Sequence, residues 1–105
     1  MTSSRKVNKE VYQACSERAK GHCEVCNKPA ALELHHILRR KAEETKENCV
    51  MLCSGCHRGT YGVHGMYGRR LDLMLKISLQ KHYFNSGMEE HEVREKMGGR
   101  LYIDD

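Results

Sequence analysis

The apolar positions in the first half of the chain predict one helix and two short strands. Val7, Val11 and Cys15 recur every four residues, a spacing that predicts an amphipathic helix over residues 6–20, ended by Gly21. The run LELHHIL at 32–38 alternates imperfectly between apolar and polar residues and predicts a partly buried strand, and NCVML at 48–52 predicts a second. The charged segment 39–47 contains no large apolar residue and predicts the loop between them.

The second half of the chain predicts helices. A turn or short helix begins at Ser54 and is soon interrupted by four glycines between residues 59 and 68. A wide apolar stripe then predicts a long helix, which we expect to pack on the first helix and which could also support a homodimer. Ser86 to Glu89 has the pattern of a capping box that opens a last helix, and Gly98 and Gly99 end it. We expect residues 101–103 to add a short strand or to dock on the core.

The size and composition of the chain favour a single domain stabilised by metal. The chain has 105 residues, with one Phe, five Tyr and no Trp, so its hydrophobic core is thin. Neither an apolar signal segment nor a window of membrane-spanning length is present, and we therefore expect a cytoplasmic protein. In that compartment cysteines in Cys-x-x-Cys pairs are better explained as metal ligands than as parts of a secreted disulfide framework.

The cysteine spacing predicts a structural zinc site. Two Cys-x-x-Cys pairs, Cys23/Cys26 and Cys53/Cys56, can supply four thiolates and close a tetrahedral Zn²⁺ shell. The two other cysteines, at positions 15 and 49, lie among apolar residues, and we predict them as buried thiols outside the shell. A redox dithiol protein is a weaker alternative, because such pairs can also cycle between thiol and disulfide.

The histidines indicate a second, reactive site. His35 and His36 are adjacent, and His57 directly follows the last zinc cysteine. Neutral imidazole can bind a divalent cation and can act as a general base, and phosphodiester hydrolysis needs both functions. Adjacent strand residues point to opposite faces, so His35 and His36 share one site only if the strand ends or twists there.

The basic residues cluster near these histidines. The net charge is only +4, but Arg39, Arg40, Lys41 and Arg58 lie close to them in sequence, and Arg69 and Arg70 follow the glycines. Local positive charge of this kind fits an anionic polymer such as DNA, although charge runs are more often simply solvated surface.

The segments CEVC, LELHHIL and NCVMLCSGCH together resemble the zinc-containing branch of the HNH, or ββα-metal, endonucleases. The resemblance covers residues 23–57. It implies a small α+β fold in which the whole chain, 1–105, is one HNH domain. The implied core is 22–62, with a four-cysteine zinc site, an N-terminal helix at about 6–20 and C-terminal helices at about 67–98.

The resemblance also implies a role for each residue that matches the motif. His36 corresponds to the general base, and His35 and His57 correspond to ligands of a catalytic cation. Asn48 corresponds to the asparagine that orients the loop and the base by hydrogen bonding. Many relatives carry a further histidine one helical turn after His57, where this chain has Tyr61. His64 comes later, and whether it binds the cation or only decorates the glycine-rich loop is left open.

The implied activity is metal-dependent hydrolysis of DNA to 5′-phosphate and 3′-hydroxyl ends, as nicking or double-strand cleavage. The sequence shows no recognisable base-reading element, so we expect low intrinsic sequence specificity, or specificity supplied by a partner. The implied cation is Mg²⁺ or Mn²⁺, and imidazoles also accept Ni²⁺, Co²⁺ or Zn²⁺. We expect Arg39, Arg40 and Arg58 to contact DNA phosphates. Similar small proteins occur in phages and mobile elements, and some of them act beside packaging or recombination proteins. We therefore expect this one in a bacterial or phage-infected cell. The alternative is a non-catalytic zinc module that binds DNA or protein through Arg69, Arg70 and the long helix.

Overall fold

Two short strands and four helices form a small α+β fold in the computed structural model, which describes residues 8–39 and 42–102. The predicted fold class is therefore confirmed. In chain order the elements are α1 (Lys9–Ala19), β1 (Glu33–His36), β2 (Cys49–Leu52), α2 (Ser54–Arg58), α3 (Arg69–Asn85) and α4 (Glu90–Lys96).

The strands β1 and β2 pair antiparallel, and their register determines which residues share a face. His35 lies opposite Val50, and His36 lies opposite Cys49. Because side chains alternate along a strand, Glu33 and His35 point to one face, and Leu34 and His36 point to the other. The sheet therefore carries two different chemical surfaces on its two sides.

The helix α1 covers the face that carries Leu34. Asn8 caps its first turn, since the Asn8 side chain accepts hydrogen bonds from the backbone N–H groups of Glu10 and Val11. Cys15 and Ala19 are buried against the side chains of Cys49 and Met51 on β2 and its partly buried neighbours. The helix lies within the range predicted from its apolar spacing.

The long helix α3 belongs to the other core. Its residues Ile77, Leu79 and Tyr83 are buried with Val93 of α4 and Met97, in one cluster with residues of β2. The expectation that α3 packs on α1 is wrong, because α1 packs mainly on β2 and α3 packs on α4. The hairpin buries a different face against each helix, so the two helices belong to separate apolar clusters.

The last helix begins three residues later than its predicted capping box. Ser86 is the C-cap of α3, and Gly87, with φ of 99°, turns the chain through the left-handed region. A helix cannot start within that turn. The N-cap of α4 is Glu89, which forms a reciprocal capping box with Glu92.

The C-terminal segment docks on α3. The Tyr102 backbone N–H donates to Oε1 of Gln80 at 2.7 Å, and the Gln80 side-chain amide donates to the Tyr102 carbonyl at 3.0 Å. Tyr102 is buried and belongs to no strand. Of the two predicted outcomes, docking is confirmed for residues up to 102, and Ile103 lies outside the described residues.

A compact coil connects α2 to α3, and we call residues 59–68 the glycine coil. The N–H groups of Gly62, Gly65 and Gly68 each donate to the carbonyl of the preceding glycine in the series, at 2.9, 2.8 and 3.1 Å. The turns pack backbone against backbone. A Cβ at Gly65 would lie 1.8 Å from the Gly59 carbonyl oxygen, so this position requires glycine.

We expect Gly65→Ala to destabilise the protein by about 2 kcal/mol or more, since the added methyl group must displace backbone. Gly55→Ala is the matched control, because a Cβ there meets nothing closer than the Cys53 Sγ at 3.9 Å. Urea unfolding followed by circular dichroism measures both. Equal unfolding midpoints for the two variants would contradict the close packing of the coil.

Candidate active site

Four cysteine side chains converge beside the hairpin. The Sγ atoms of Cys23, Cys26, Cys53 and Cys56 all lie within 4.8 Å of one another, and those of Cys26 and Cys53 are 3.8 Å apart. Tetrahedral zinc with Zn–S bonds near 2.3 Å has sulfur–sulfur edges of about 3.8 Å. The four cysteines therefore fit a structural zinc ion and leave no coordination position for a substrate.

The ionisation of these thiols also fits a cation. Burial opposes ionisation of Cys23, but backbone hydrogen bonds at Cys26, Cys53 and Val25 lower its pKa to about 6. The pKa of Cys56 is raised to about 12 by burial, by hydrogen bonds with the neighbouring thiols and by the Cys23 charge. The charge of one thiolate thus opposes ionisation of the neighbouring thiol, and a bound divalent cation would relieve the repulsion between two thiolates.

The two cysteine pairs lie before the first strand and after the second strand of the hairpin. Cys23 and Cys26 form a tight turn after α1, and the backbone N–H of Val25 donates to Cys23 Sγ at 3.4 Å. Cys53 directly follows β2 and is the N-cap of α2, where its Sγ accepts from the Cys56 N–H. The same turn that would bind zinc therefore starts the helix that carries His57.

Three histidines meet on the face of β1 that carries Glu33. His35, His57 and His64 each offer one ring nitrogen, and these nitrogens lie within 4.8 Å of one another. Their ring centroids are 4.8–5.3 Å apart. We call this group the histidine triad.

His35 lies deepest in the triad. Its side chain is 3% exposed, and its Nε2 atom is buried without a hydrogen-bond partner. Burial, and then the charges that His64 and His57 would carry, lower the pKa of His35 to about 3, so its ring is neutral at physiological pH. A buried ring nitrogen that keeps its lone pair is what a bound cation would satisfy.

The glycine coil brings His64 into the triad, where the sequence had left its role open. The backbone N–H of His64 donates to the His57 carbonyl at 2.9 Å, which returns the chain to the end of α2. Burial, and then the charge of His57, lower the pKa of His64. Tyr61, at the position where relatives carry their third histidine, is exposed instead.

Glu33 fixes the orientation of His57. His57 Nδ1 lies 2.6 Å from Glu33 Oε1, and the second carboxylate oxygen of Glu33 pairs with Arg58. The hydrogen bond with His57, and then the pairing with Arg58, lower the pKa of Glu33. The carboxylate thus keeps the proton on Nδ1, and the lone pair of His57 Nε2 is then available to bind a cation.

We expect Glu33→Gln to weaken binding of Mn²⁺ or Ni²⁺ at the triad by about 10- to 100-fold, the usual effect of losing a carboxylate behind a histidine ligand. Isothermal titration calorimetry on zinc-loaded protein measures the affinity. Glu17→Gln, an exposed change on α1, is the control. Unchanged affinity in Glu33→Gln would remove this role from Glu33.

His36 lies on the opposite face from the triad. Its Nε2 atom is 2.6 Å from Oε2 of Glu44, whose Oε1 accepts from the Asn8 backbone N–H at 3.0 Å. Glu44 therefore joins His36 to the start of α1. The strand does not bring His35 and His36 into one cluster, because regular alternation continues through the pair until β1 ends at His36.

Asn48 ties together the two ends of the loop between the strands. Its side chain is 1% exposed, and its Oδ1 accepts from the Leu38 backbone N–H at 2.9 Å. Its Nδ2 donates to the Glu43 carbonyl at 3.1 Å. These bonds hold the loop on which Glu44 lies, and they leave Asn48 outside both histidine sites.

The predicted phosphate contacts differ in their surroundings. Arg39 has its guanidinium 3.6 Å from Asp72 at the start of α3, and its charge contributes to the lowered pKa values of His35 and His64. Arg58 is exposed but pairs with Glu33, as described above. Arg40 lies outside the described residues.

Two carboxylates of the site, Glu33 and Glu44, are missing from the sequence-based prediction. A signal for Glu33 is present in the sequence, because a residue two positions before His35 on a strand shares its face. Glu44 carries no such signal, since it is one of three glutamates in the loop between the strands and only the folded loop selects it.

The hairpin and the short helix that follows it lie within a segment that is similar to a known family of nucleases. Residues 23–61 match the family described as HNH endonuclease. The chain is also 40% identical over 76 residues to the Type IV methyl-directed restriction enzyme EcoKMcrA of Escherichia coli (strain K12). That match covers 62% of this chain and 27% of the relative, so the chain spans about a quarter of the relative's length.

These comparisons confirm the resemblance from which the roles of the histidines and of Asn48 were predicted. The individual roles of the site residues stay predictions. Among the described residues, none of the helices has the length and apolar character needed to cross a membrane.

Proposed function

We propose that the protein is a metal-dependent DNA endonuclease that hydrolyses phosphodiester bonds at the histidine triad. The observation that carries the proposal is the convergence of three ring nitrogens, one each from His35, His57 and His64. It is joined by the buried Nε2 of His35, which has no hydrogen-bond partner. Such an arrangement, in a segment that matches the HNH endonuclease family, fits a catalytic cation.

His35, His57 and His64 would hold the cation. When bound, it supplies positive charge against the charge that develops on the phosphate and on the departing 3′-oxygen. Three imidazoles form a softer donor set than the two assumed from the sequence, and they favour Mn²⁺, Ni²⁺, Co²⁺ or Zn²⁺ over Mg²⁺. The neutral rings that burial maintains are ready for binding at physiological pH.

His36 is the general base in this proposal. The carboxylate of Glu44 orients its ring, accepts the Nε2–H and stabilises the imidazolium that forms, which leaves Nδ1 to take a proton from water. We propose that the attacking water reaches the phosphate around the end of β1, which stops at His36. Asn48 contributes by holding the loop that carries Glu44.

Arg39 and Arg58 border the triad and would face the DNA backbone. Phosphate contacts position a protein on DNA without reading its sequence. We therefore propose cleavage with low intrinsic specificity that leaves 5′-phosphate and 3′-hydroxyl ends. The methyl-directed activity in the relative's name belongs to a protein about four times the length of the matched stretch, and it forms no part of this proposal. The predicted homodimer and the packaging or recombination partners stay predictions.

A plasmid-nicking assay tests the proposal. Protein freed of loosely bound cations by gel filtration, with its zinc retained, should nick supercoiled DNA only after Mn²⁺ or Ni²⁺ is added. His35→Ala should abolish nicking, whereas His91→Ala, an exposed change on α4, should not. DNA binding by the wild-type protein without any cation-dependent nicking would favour the non-catalytic zinc module instead.

A further inference from the structure

Two tyrosines on the glycine coil form an exposed aromatic stack. Tyr61 and Tyr67 are 73% and 59% exposed, and their rings stack with centroids 5.5 Å apart and planes inclined by 29°. Met66 beside them is 83% exposed. Neighbouring large apolar side chains left in water are typical of an interaction surface.

The backbone of the coil holds this stack in place. The Tyr67 N–H donates to the Thr60 carbonyl at 2.8 Å, which brings the two tyrosines together from opposite ends of the coil. The glycines at 59, 62, 65 and 68 pack backbone against backbone, so the coil is compact. The backbone at both tyrosines is therefore held in place before any ligand arrives, which lowers the conformational entropy that binding to them costs.

The stack belongs to the same segment as the histidine triad. Tyr61, His64 and Tyr67 recur every third residue along the coil, and the coil starts directly after Arg58. His64 points into the triad, where its ring lies 4.8–5.0 Å from those of His57 and His35. A nucleotide whose phosphate lies at the triad would therefore have its base near the tyrosines.

We propose that Tyr61 and Tyr67 are a stacking platform for an unpaired nucleobase of the strand that is cut, which makes single-stranded or locally unpaired DNA the preferred substrate class. This proposal rests on the proposed nuclease function. Every base presents a π-face on which an aromatic ring can stack, and such stacking tolerates any sequence. Bases inside an intact duplex are already stacked on both faces and offer no free face to an aromatic ring.

The charge around the platform fits a nucleic acid better than an apolar protein partner. Arg58 and Arg69, at the two ends of the coil, are both exposed. A surface of aromatic rings bordered by cations is the combination that single-strand binding proteins use, with the rings for bases and the cations for phosphates. A second copy of this chain would bring the same cations into apposition.

A fluorescent base reports directly on stacking. We would bind a single-stranded oligonucleotide containing 2-aminopurine to zinc-loaded protein without added divalent cation, so that no cleavage occurs. The wild-type protein should quench the 2-aminopurine. The double variant Tyr61→Leu with Tyr67→Leu should lose the quenching and bind the strand roughly tenfold more weakly. The corresponding double change to Phe keeps both rings and should stay within about twofold of wild type.

Controls separate stacking from folding and from general DNA affinity. Tyr12→Leu changes an exposed tyrosine on α1 and should have no effect on binding. The leucine double variant should keep its zinc content, its unfolding midpoint and its affinity for duplex DNA of equal length. Unchanged affinity for the single strand, or an equal loss for single strand and duplex, would overturn the proposal. If light scattering showed a dimer for the wild-type protein and a monomer for the leucine double variant, and if that variant kept the quenching, the surface would be a contact with a second copy of the chain.

The two proposals can fail independently. Quenching that depends on Tyr61 and Tyr67 in a protein that never nicks DNA would keep the platform as a binding surface and refute the nuclease function. Cation-dependent nicking with equal rates for single-stranded, mismatched and fully paired substrates would keep the nuclease function and refute the preference for unpaired DNA.

Discussion

Cys53→Ala will leave the protein largely unfolded at 25 °C. Structural zinc contributes about 10–16 kcal/mol of binding free energy, whereas a small domain is stable by only about 5–15 kcal/mol in total. Cys53 is both a thiolate of the cluster and the N-cap of α2, so its loss opens the zinc site and removes a helix cap at once. Circular dichroism and the zinc content of the purified variant measure the result.

Cys15→Ala is the matched control for this experiment. Cys15 is fully buried but belongs to the apolar contact between α1 and β2, outside the four-cysteine cluster. Its replacement by alanine should cost only about 1–2 kcal/mol and leave the zinc bound. Removal of zinc from the wild-type protein with a strong chelator should reproduce the Cys53→Ala result. A cooperatively folded, zinc-free Cys53→Ala protein would refute the structural role of the metal.

His36→Ala will slow nicking by about 10²- to 10⁴-fold, the usual contribution of a general base. The same variant should bind Mn²⁺ as tightly as the wild-type protein, because His36 points away from the triad and pairs with Glu44. His57→Ala should behave differently and lose cation affinity first. Nicking rates over a range of Mn²⁺ concentrations, together with calorimetric affinities, distinguish the two variants.

Glu44→Gln completes this comparison. A neutral amide still accepts a hydrogen bond from His36 but stabilises its protonated ring less, so we expect a smaller loss of rate than in His36→Ala and no loss of cation affinity. If His36→Ala weakened Mn²⁺ binding as strongly as His57→Ala, His36 would be a ligand and not the base. Wild-type rates for His36→Ala would remove it from the mechanism.

The local features of the fold were predictable from the sequence because they depend on short spacings. The Cys-x-x-Cys pairs, the two strands around the charged loop and the amphipathic α1 are each encoded within about twenty residues. The family assignment rests on the same segments, and residues 23–61 carry it.

The features that escaped prediction depend on how segments meet. Ser86 and Glu89 fit the capping pattern, but the left-handed turn at Gly87 moves the start of α4 to Glu90. The apolar stripe of α3 predicted a helix, but it did not indicate which element that helix packs against. The place of His64 in the triad results from hydrogen bonds along the glycine coil, which no spacing rule describes.

The alternation of His35 and His36 has a consequence for how such a domain can change during evolution. Shifting β1 by one residue against β2 would exchange the two imidazoles between the faces of the hairpin, so that the proposed ligand and the proposed base would trade places. Insertions that lengthen the loop at 42–47 leave this alignment intact, whereas a single deletion within 33–36 reverses it. Tolerance to changes in length should therefore differ sharply between these two neighbouring stretches.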